Sequence, residues 1–315
     1  MPELTDINTV SSLHDETPTL SDLSPRDKPW DKHRSNADKV ANHYAGSEFH
    51  RYSDRMTFCS ELLDFKLAPT EEGAYALKLS SARFCRVRHC PVCQWRRSLM
   101  WKAKAYKVLP KIVEAYPKHR WLFLTLTQRN CKITELRQTL TDMNKAFKRL
   151  TELKAFPSVG WLKSVEVTRG RDGSAHPHFH CLLMVPPGYF GKNYIKQEDW
   201  VAMWKQSLRL DYNPVLDVQA VKKGSQPMQL VPELLKYCVK ESDLVADRGW
   251  FLELTRQMNK MRAIATGGVL KDYLKDLENE PEDLIHTDGE DTTEVDEGHL
   301  HFGWKRQEEK YRLCK

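Results

Sequence analysis

Between Trp121 and Val221 the spacing of apolar residues changes repeatedly, and each change marks an element. Trp121-Leu-Phe-Leu-Thr-Leu-Thr127 is nearly continuous in apolar side chains and reads as a buried strand. Ile133, Leu136, Leu140, Met143, Phe147 and Leu150 then fall at alternating three- and four-residue steps, which places them on one face of a helix. Two alternating stretches with β-branched residues follow, 161–169 and 176–185, and the turn-forming Gly170-Arg-Asp-Gly-Ser174 between them predicts a hairpin. Trp200, Val201, Trp204 and Leu208 mark a second helix, and a last strand runs from Val215 to Val221 after Asn213 and Pro214.

The order β-α-β-β-α-β is that of a ferredoxin-like split sheet, an α+β domain with an antiparallel sheet, helices on one face and the other face free. Upstream, residues 1–28 lack Phe, Trp and Tyr and are expected to be a disordered tail. A weakly helical segment runs from Trp30 to about His50. Arg55 to Cys59 reads as a strand, followed by a turn through 69–73 and a strand at Ala74 to Leu79. A helix starts near Gln94 with the apolar stripe Trp101, Ala105, Val108 and Ile112, and Pro110 should bend or end it. Downstream, residues 230–240 form a helix with Pro232 in its first turn, and 250–262 and 270–277 look helical. The expected division is a tail at 1–28, an N-terminal helix and cysteine module at 29–115, the sheet domain at 116–245, C-terminal helices at 246–275, an acidic linker at 276–297 and a basic tail at 298–315.

Charge is segregated along this frame. Residues 276–297 hold eleven acids and no Lys or Arg, and 298–315 net +3, so that of the chain's formal +6 residues 1–275 carry +14. A polyanionic partner follows from that balance, and the acidic run is a solvated linker or a weak mimic of nucleic acid. No secretory leader or membrane-spanning apolar run is visible, so the expectation is a soluble cytoplasmic protein. Three of its eight cysteines fall in one cluster, which fits a reducing compartment and a metal site better than a disulfide framework.

That cluster is Cys85-Arg-Val-Arg-His-Cys90-Pro-Val-Cys93. Cys90 and Cys93 form a chelating knuckle, Cys85 supplies a third thiolate, and Cys59 or else His89 supplies the fourth ligand of a structural Zn²⁺. Arg96, Arg97, Lys102, Lys104 and Lys107 beside it, and Lys236 further on, are candidate DNA phosphate contacts. In the hairpin, His176, His178 and His180 share one strand face, and Glu166 joins them if the register allows. Two imidazoles and a carboxylate with open positions left over form a divalent-metal site, with His176 as a further candidate. In the 230–240 helix, Glu233, Tyr237 and Lys240 would share one face, and a phenol held beside a metal is a credible nucleophile for phosphorus.

Together Phe123 to Thr127, His176 to Val185, Glu233 to Lys240 and the cysteine segment 85–97 resemble the HUH endonucleases, specifically the replication initiators of small rolling-circle plasmids, over roughly residues 55–240. The resemblance implies that His178 and His180 bind Mg²⁺ or Mn²⁺ and that Tyr237 becomes linked to the 5′ phosphate of nicked origin DNA. Glu233, as in single-tyrosine members, would activate water for the closing cleavage, and Lys240 would steady the phosphate. Origin DNA, a host helicase and a DNA polymerase are the implied partners. Single-tyrosine HUH transposases are usually shorter and lack the cysteine region. Relaxases tend to bring the tyrosine before the histidine pair, and a zinc-containing DNA-binding regulator without catalysis is the reading from another class.

Overall fold

The computed structural model describes residues 17–69, 74–222, 227–236, 238–275, 279, 283–285 and 298–314. The chain opens on a one-turn helix, α1 (Leu20–Leu23), held by a capping box between Thr19 and Asp22. Leu20 is buried, so residues 17–28 are not the disordered stretch their polar composition suggested; residues 1–16 lie outside the described residues. Next come α2 (Pro29–Tyr44), which buries Trp30, Ala37, Val40 and Tyr44, and α3 (His50–Thr57). The strand expected at 55–59 is instead the end of α3. Met56 points inward, Phe58 stays exposed, and the Thr57 hydroxyl donates to the Ser53 carbonyl one turn back, so the apparent alternation is never used.

Strands β1 (Leu62–Pro69) and β2 (Tyr75–Ala82) form an antiparallel pair. The helix after the cysteine cluster, α4 (Pro91–Ala115), runs through Pro110 without ending there. Pro110 and Tyr106, whose carbonyl loses its usual partner, are both exposed, so water can satisfy the orphan group. The run from β3 (Arg120–Thr127) through α5 (Leu136–Glu152), β4 (Gly160–Arg169), β5 (Ala175–Val185), α6 (Gln197–Leu208) and β6 (Leu216–Ala220) follows the expected order. After it come α7 (Val231–Leu234), α8 (Glu241–Ala246), α9 (Arg248–Gln257), β7 (Ile264–Gly268) and α10 (Leu270–Leu274). No helix among the described residues is long and apolar enough to cross a membrane.

The central sheet is antiparallel in the order β6-β3-β5-β4-β7, one strand more than expected. Strand β7 escaped notice because Ile264-Ala-Thr-Gly-Gly268 is short and glycine-ended, yet those glycines make the pairing. A Cβ on Gly267 would lie 2.3 Å from the Trp161 ring, and Gly268 turns the chain at φ +57. On one face Leu124, Leu126, Phe179 and Leu183 pack with Leu140, Met143 and Phe147 of α5 and with Trp200 and Trp204 of α6. The opposite face is not free. The predicted stripe of α4 docks there, and Trp101, Ala105, Leu109 and Ile112 share a core with Trp121, Phe123, Leu162, Leu182 and Met184, joined by Leu234, Leu235, Leu270 and Leu274. Beyond this cover, toward the start of β5, the same face carries Glu166, His178 and His180.

Residues 298–314, expected as a basic tail, form β8 (His299–Lys305) and β9 (Lys310–Leu313), which complete a second sheet in the order β2-β1-β8-β9. The reason lies in the spacing of Phe302, Trp304 and Tyr311, all buried, while the lysines and arginines between them face outward. Phe302→Ala should therefore cost about 3–5 kcal/mol in urea unfolding. A loss under about 1 kcal/mol, as for a surface site, would show that the C-terminal hairpin is not part of the core.

Candidate active site

Strand register builds the site. Glu166 on β4 lies directly opposite His178 on β5, and Ser164 lies opposite His180, so the register is the one the shared face needed. Glu166 Oε2 is 2.7 Å from His178 Nε2 and 2.9 Å from His180 Nε2. The other ring nitrogens turn away: His178 Nδ1 is 3.3 Å from the His176 carbonyl, and His180 Nδ1 is 3.4 Å from Thr125 Oγ1. Both rings thus aim Nε2 at the carboxylate, where their N–H groups donate to Glu166 and where a bound cation would meet the same two nitrogens in place of those protons. Phe123 stacks on the His180 ring at 5.6 Å and fixes its plane.

The donor set fits a hard divalent cation. Bonds of about 2.1 Å in an octahedron put adjacent ligand atoms about 3.0 Å apart, close to the Glu–His separations here. The three donor atoms lie within 4.8 Å of one another. His176 does not join them; its Nδ1 is 2.7 Å from Asn130 Oδ1, and its ring only tilts against that of His178.

Lys236 completes the cluster, with Nζ 2.6 Å from Glu166 Oε2 and 2.5 Å from Glu233 Oε1. Glu233 Oε1 in turn lies 3.7 Å from His180 Nε2. Burial alone would raise the Glu166 carboxyl pKa, but hydrogen bonds from His178, His180 and Lys236 outweigh it and hold the group well below the usual range. Burial acts on Lys236 in the opposite sense, and its bonds to Glu166 and Glu233 overcome that and raise its pKa. A carboxylate and an ammonium thus face each other at this end of the sheet.

The helix expected across 230–240 does not form. It ends at Leu234, the chain turns, and Val239 makes a parallel bridge to Val167, whose N–H donates to the Cys238 carbonyl at 2.8 Å. The Leu235 carbonyl is taken by the Ser98 hydroxyl of α4 at 2.6 Å. With both carbonyls bonded elsewhere, helical propagation loses to docking on β4 and α4. Glu233 reaches the histidines, but Lys240 stands at the N-cap of α8 as an exposed residue, and the lysine beside the carboxylate is Lys236. Tyr237 lies outside the described residues; its neighbours Lys236 and Cys238 are both held against β4, one by side chain and one by backbone.

The cysteines gather as expected, with Cys59 as the fourth member. Its Sγ is 3.7 Å from that of Cys90 and 3.6 Å from that of Cys93, and Cys85 Sγ is 3.6 Å from Cys93 Sγ. A tetrahedral ion with bonds of about 2.3 Å requires sulfur–sulfur edges of about 3.8 Å. Burial pushes the Cys90 thiol up, while hydrogen bonds from Cys59 and its neighbours push Cys93 down. The N–H of Val87 donates to Cys85 Sγ, and that of Cys85 to Cys59 Sγ. His89 is not in the group, although it is fully buried nearby.

Two of the basic residues predicted to meet DNA are occupied elsewhere. Arg97 is buried and donates to the carbonyls of Arg86, Val87 and Arg88, bracing the cysteine loop. Arg96 is buried beside the Trp30 and Trp95 rings and donates to the carbonyls of Leu284 and Ile285. Lys102 and Lys104 are partly exposed and Lys107 is exposed. Lys236 was singled out only as a phosphate contact; its spacing three residues after Glu233 was the available sign of a bond to that carboxylate.

Residues 76–312 match the Rep_1 family model, described as Replication protein. "Protein rep" of Bacillus amyloliquefaciens is 34% identical over 321 residues, covering 90% of this chain and 91% of its own. "Protein rep" of Lactiplantibacillus plantarum is 36% identical, covering 84% and 88% respectively. "Replication protein" of Staphylococcus aureus is 33% identical over 66% of this chain and 96% of its own. No solved structure matches. A family of replication proteins is the class this sheet, cysteine cluster and acid–imidazole site belong to, and the chain is a member of it, the Rep_1 family.

The fit of the cysteine tetrahedron gives a direct expectation. Purified protein should carry one zinc per chain by elemental analysis, Cys59→Ser should lose it, and His89→Gln should keep it. Zinc retained by the Cys59 variant and lost from the His89 variant would reverse the ligand assignment.

Proposed function

We propose that this chain initiates rolling-circle replication of a plasmid by nicking and rejoining one DNA strand at the origin through a phosphotyrosine bond. The observation that carries this reading is the Glu166–His178–His180 set in strand register, with Glu233 and Lys236 at its edge. Family membership and the basic charge of residues 1–275 support it. So does the strand order, since β6-β3-β5-β4 is the order a ferredoxin-like HUH sheet requires, with β7 added beside β4.

His178, His180 and Glu166 would hold Mg²⁺ or Mn²⁺. That ion, when bound, would offset the charge that builds on the scissile phosphate. Glu166, fixed as a carboxylate, keeps both imidazoles aimed through Nε2. Tyr237 is the nucleophile: its phenol oxygen attacks phosphorus, the sugar 3′ oxygen leaves, and the 5′ phosphate stays on the enzyme. Retaining the phosphodiester energy in that bond lets the strand be resealed after a round of synthesis. Glu233, within 3.7 Å of His180 and half exposed, is placed to take a proton from water in the closing cleavage, where a second covalent bond would allow reinitiation. Lys236 takes over the phosphate-steadying role that the sequence gave Lys240. Strand displacement would draw on a host helicase and a DNA polymerase in the cytoplasm, and the tetrahedral Zn²⁺ would be structural.

The test is a denaturing gel of protein incubated with a labelled single-stranded origin oligonucleotide and Mn²⁺. Wild type should give a cleaved strand and a covalent adduct, and Tyr237→Phe should give neither. Binding without cleavage by wild type would leave a zinc-containing DNA-binding regulator. In a plasmid replication assay Glu233→Ala should still nick but accumulate unterminated product, and loss of the first nick would remove Glu233 from the closing step.

A further inference from the structure

At the end of the sheet that carries Glu166, two loops are fastened to each other. The chain after β3 and the turn between β4 and β5 meet in a bridge, where the Cys131 N–H donates to the Ala175 carbonyl at 2.9 Å and the Ala175 N–H to the Cys131 carbonyl at 2.8 Å. Asn130 adds two side-chain bonds, its Nδ2 donating to Ser174 Oγ at 2.9 Å and its Oδ1 lying 2.7 Å from His176 Nδ1. Between the Thr127–His178 pair and this bridge the β3 side takes four steps (127 to 131) and β5 only three (178 to 175), so one residue is extra. Such a bulge re-aims side chains, and the stretch it displaces is Gln128-Arg129-Asn130.

Arg129 is exposed yet held in place. Its backbone N–H donates to the Tyr212 hydroxyl at 3.0 Å, and its guanidinium carbon lies over the Tyr212 ring, 3.8 Å from the centroid. A ring beneath the guanidinium leaves its N–H groups to an anion and limits the freedom that binding must remove. Arg171 is exposed in the turn on the other side of the bridge. Neither arginine has an ion-pair partner among the described residues. Asp172, the acid in the turn, accepts instead from the N–H and hydroxyl of Ser174, whereas Arg169 just before the turn is already paired with Asp247.

Position decides which anion they meet. Thr127 lies opposite His178, across a strand spacing of about 4.8 Å. Arg129 is two residues beyond Thr127, at most about 7 Å of chain. An anion held there is a near neighbour of whatever the histidines and Glu166 act on. Val239 adjoins β4 and the Arg129 loop follows β3, with β5 and its histidines between them. A strand laid over the histidines away from Lys236 therefore crosses this rim.

We propose that Arg129 and Arg171 form a phosphate clamp on the single-stranded DNA, gripping its backbone beside the phosphate that is cut, with Tyr212 and Asn130 fixing the clamp to the sheet. The identity of the strand rests on the nicking reading; the contact itself is to backbone and carries no sequence information.

The experiment is the salt dependence of binding, read by fluorescence anisotropy of a labelled single-stranded origin oligonucleotide with the full-length protein and no added divalent ion, so that the strand stays intact. Each backbone contact on a single strand contributes about 0.7 to the slope of log affinity against log salt. Arg129→Ala combined with Arg171→Ala should lower that slope by about 1.4, whatever the oligonucleotide sequence. An uncharged methylphosphonate walked along the strand should weaken binding to wild type at the gripped phosphates and cause no further loss there in the double variant. Tyr212→Leu, which removes both hydroxyl and ring, should weaken binding by wild type and add nothing once Arg129 is gone. Lys148→Ala, at an exposed position of α5, should leave the slope alone, and an equal drop there would count against the clamp. The same titrations on a blunt duplex separate the two forms of DNA: a drop confined to the single strand supports the clamp, and an equal drop on the duplex overturns the single-strand assignment. Unchanged slope and affinity in a double variant that unfolds at the wild-type urea concentration overturns it outright. Nicking is read separately on the denaturing gel, so a wild type that nicks while the double variant keeps its slope removes only the clamp, and a slope that falls in a protein that never nicks removes only the chemistry.

Discussion

One buried carboxylate organises this molecule's chemistry. Glu166 is 2% exposed, and burial alone would favour its protonated form. It remains ionised because three donors, two imidazoles and an ammonium, converge on the same oxygen. That convergence depends on strand register, since a slip of one residue between β4 and β5 would carry the histidines to the opposite face, among the apolar side chains of α5 and α6. The hairpin, the core beneath it and the metal-type site are thus one constraint seen at three scales.

The cysteine tetrahedron reaches the same site through α4. Cys90 and Cys93 stand at the start of that helix, and Arg97, one turn later, braces the loop that follows Cys85. Ser98, on the next position, bonds the Leu235 carbonyl beside Lys236. Further along, Trp101, Ala105, Leu109 and Ile112 fasten the helix to the sheet. The cysteine cluster therefore helps decide where Leu235 and Lys236 lie, and α4 joins the cysteine module to the sheet it was expected only to precede.

The central strands and helices were legible because their periodicity is strong and their order matches a known supersecondary pattern. That Glu166 could join the histidine face was legible, but which histidine it pairs with was left to the register, which sets it opposite His178. What escaped were features set by tertiary contact. The 230–240 segment has helical spacing, yet carbonyls captured by Ser98 and Val167 unwind it, so the lysine beside Glu166 is Lys236 and not Lys240. Arg96 and Arg97 look like phosphate ligands in a string of letters, and only their carbonyl partners show them to be braces. Strand β7 and the hairpin of β8 and β9 are too short, and the latter too basic, to stand out from pattern alone. Tyr237, proposed as the nucleophile from the motif, lies outside the described residues; its neighbours Lys236 and Cys238 are bonded to β4.

The most direct test of the acid–imidazole centre is pulsed electron paramagnetic resonance of the protein loaded with one equivalent of Mn²⁺. Two directly bound imidazole nitrogens should couple to the ion, His178→Ala and His180→Ala should each remove one, and Glu166→Gln should weaken binding while leaving zinc in place. Mn²⁺ that binds without nitrogen coupling, or that binds equally well after all three changes, would contradict the assignment of this site.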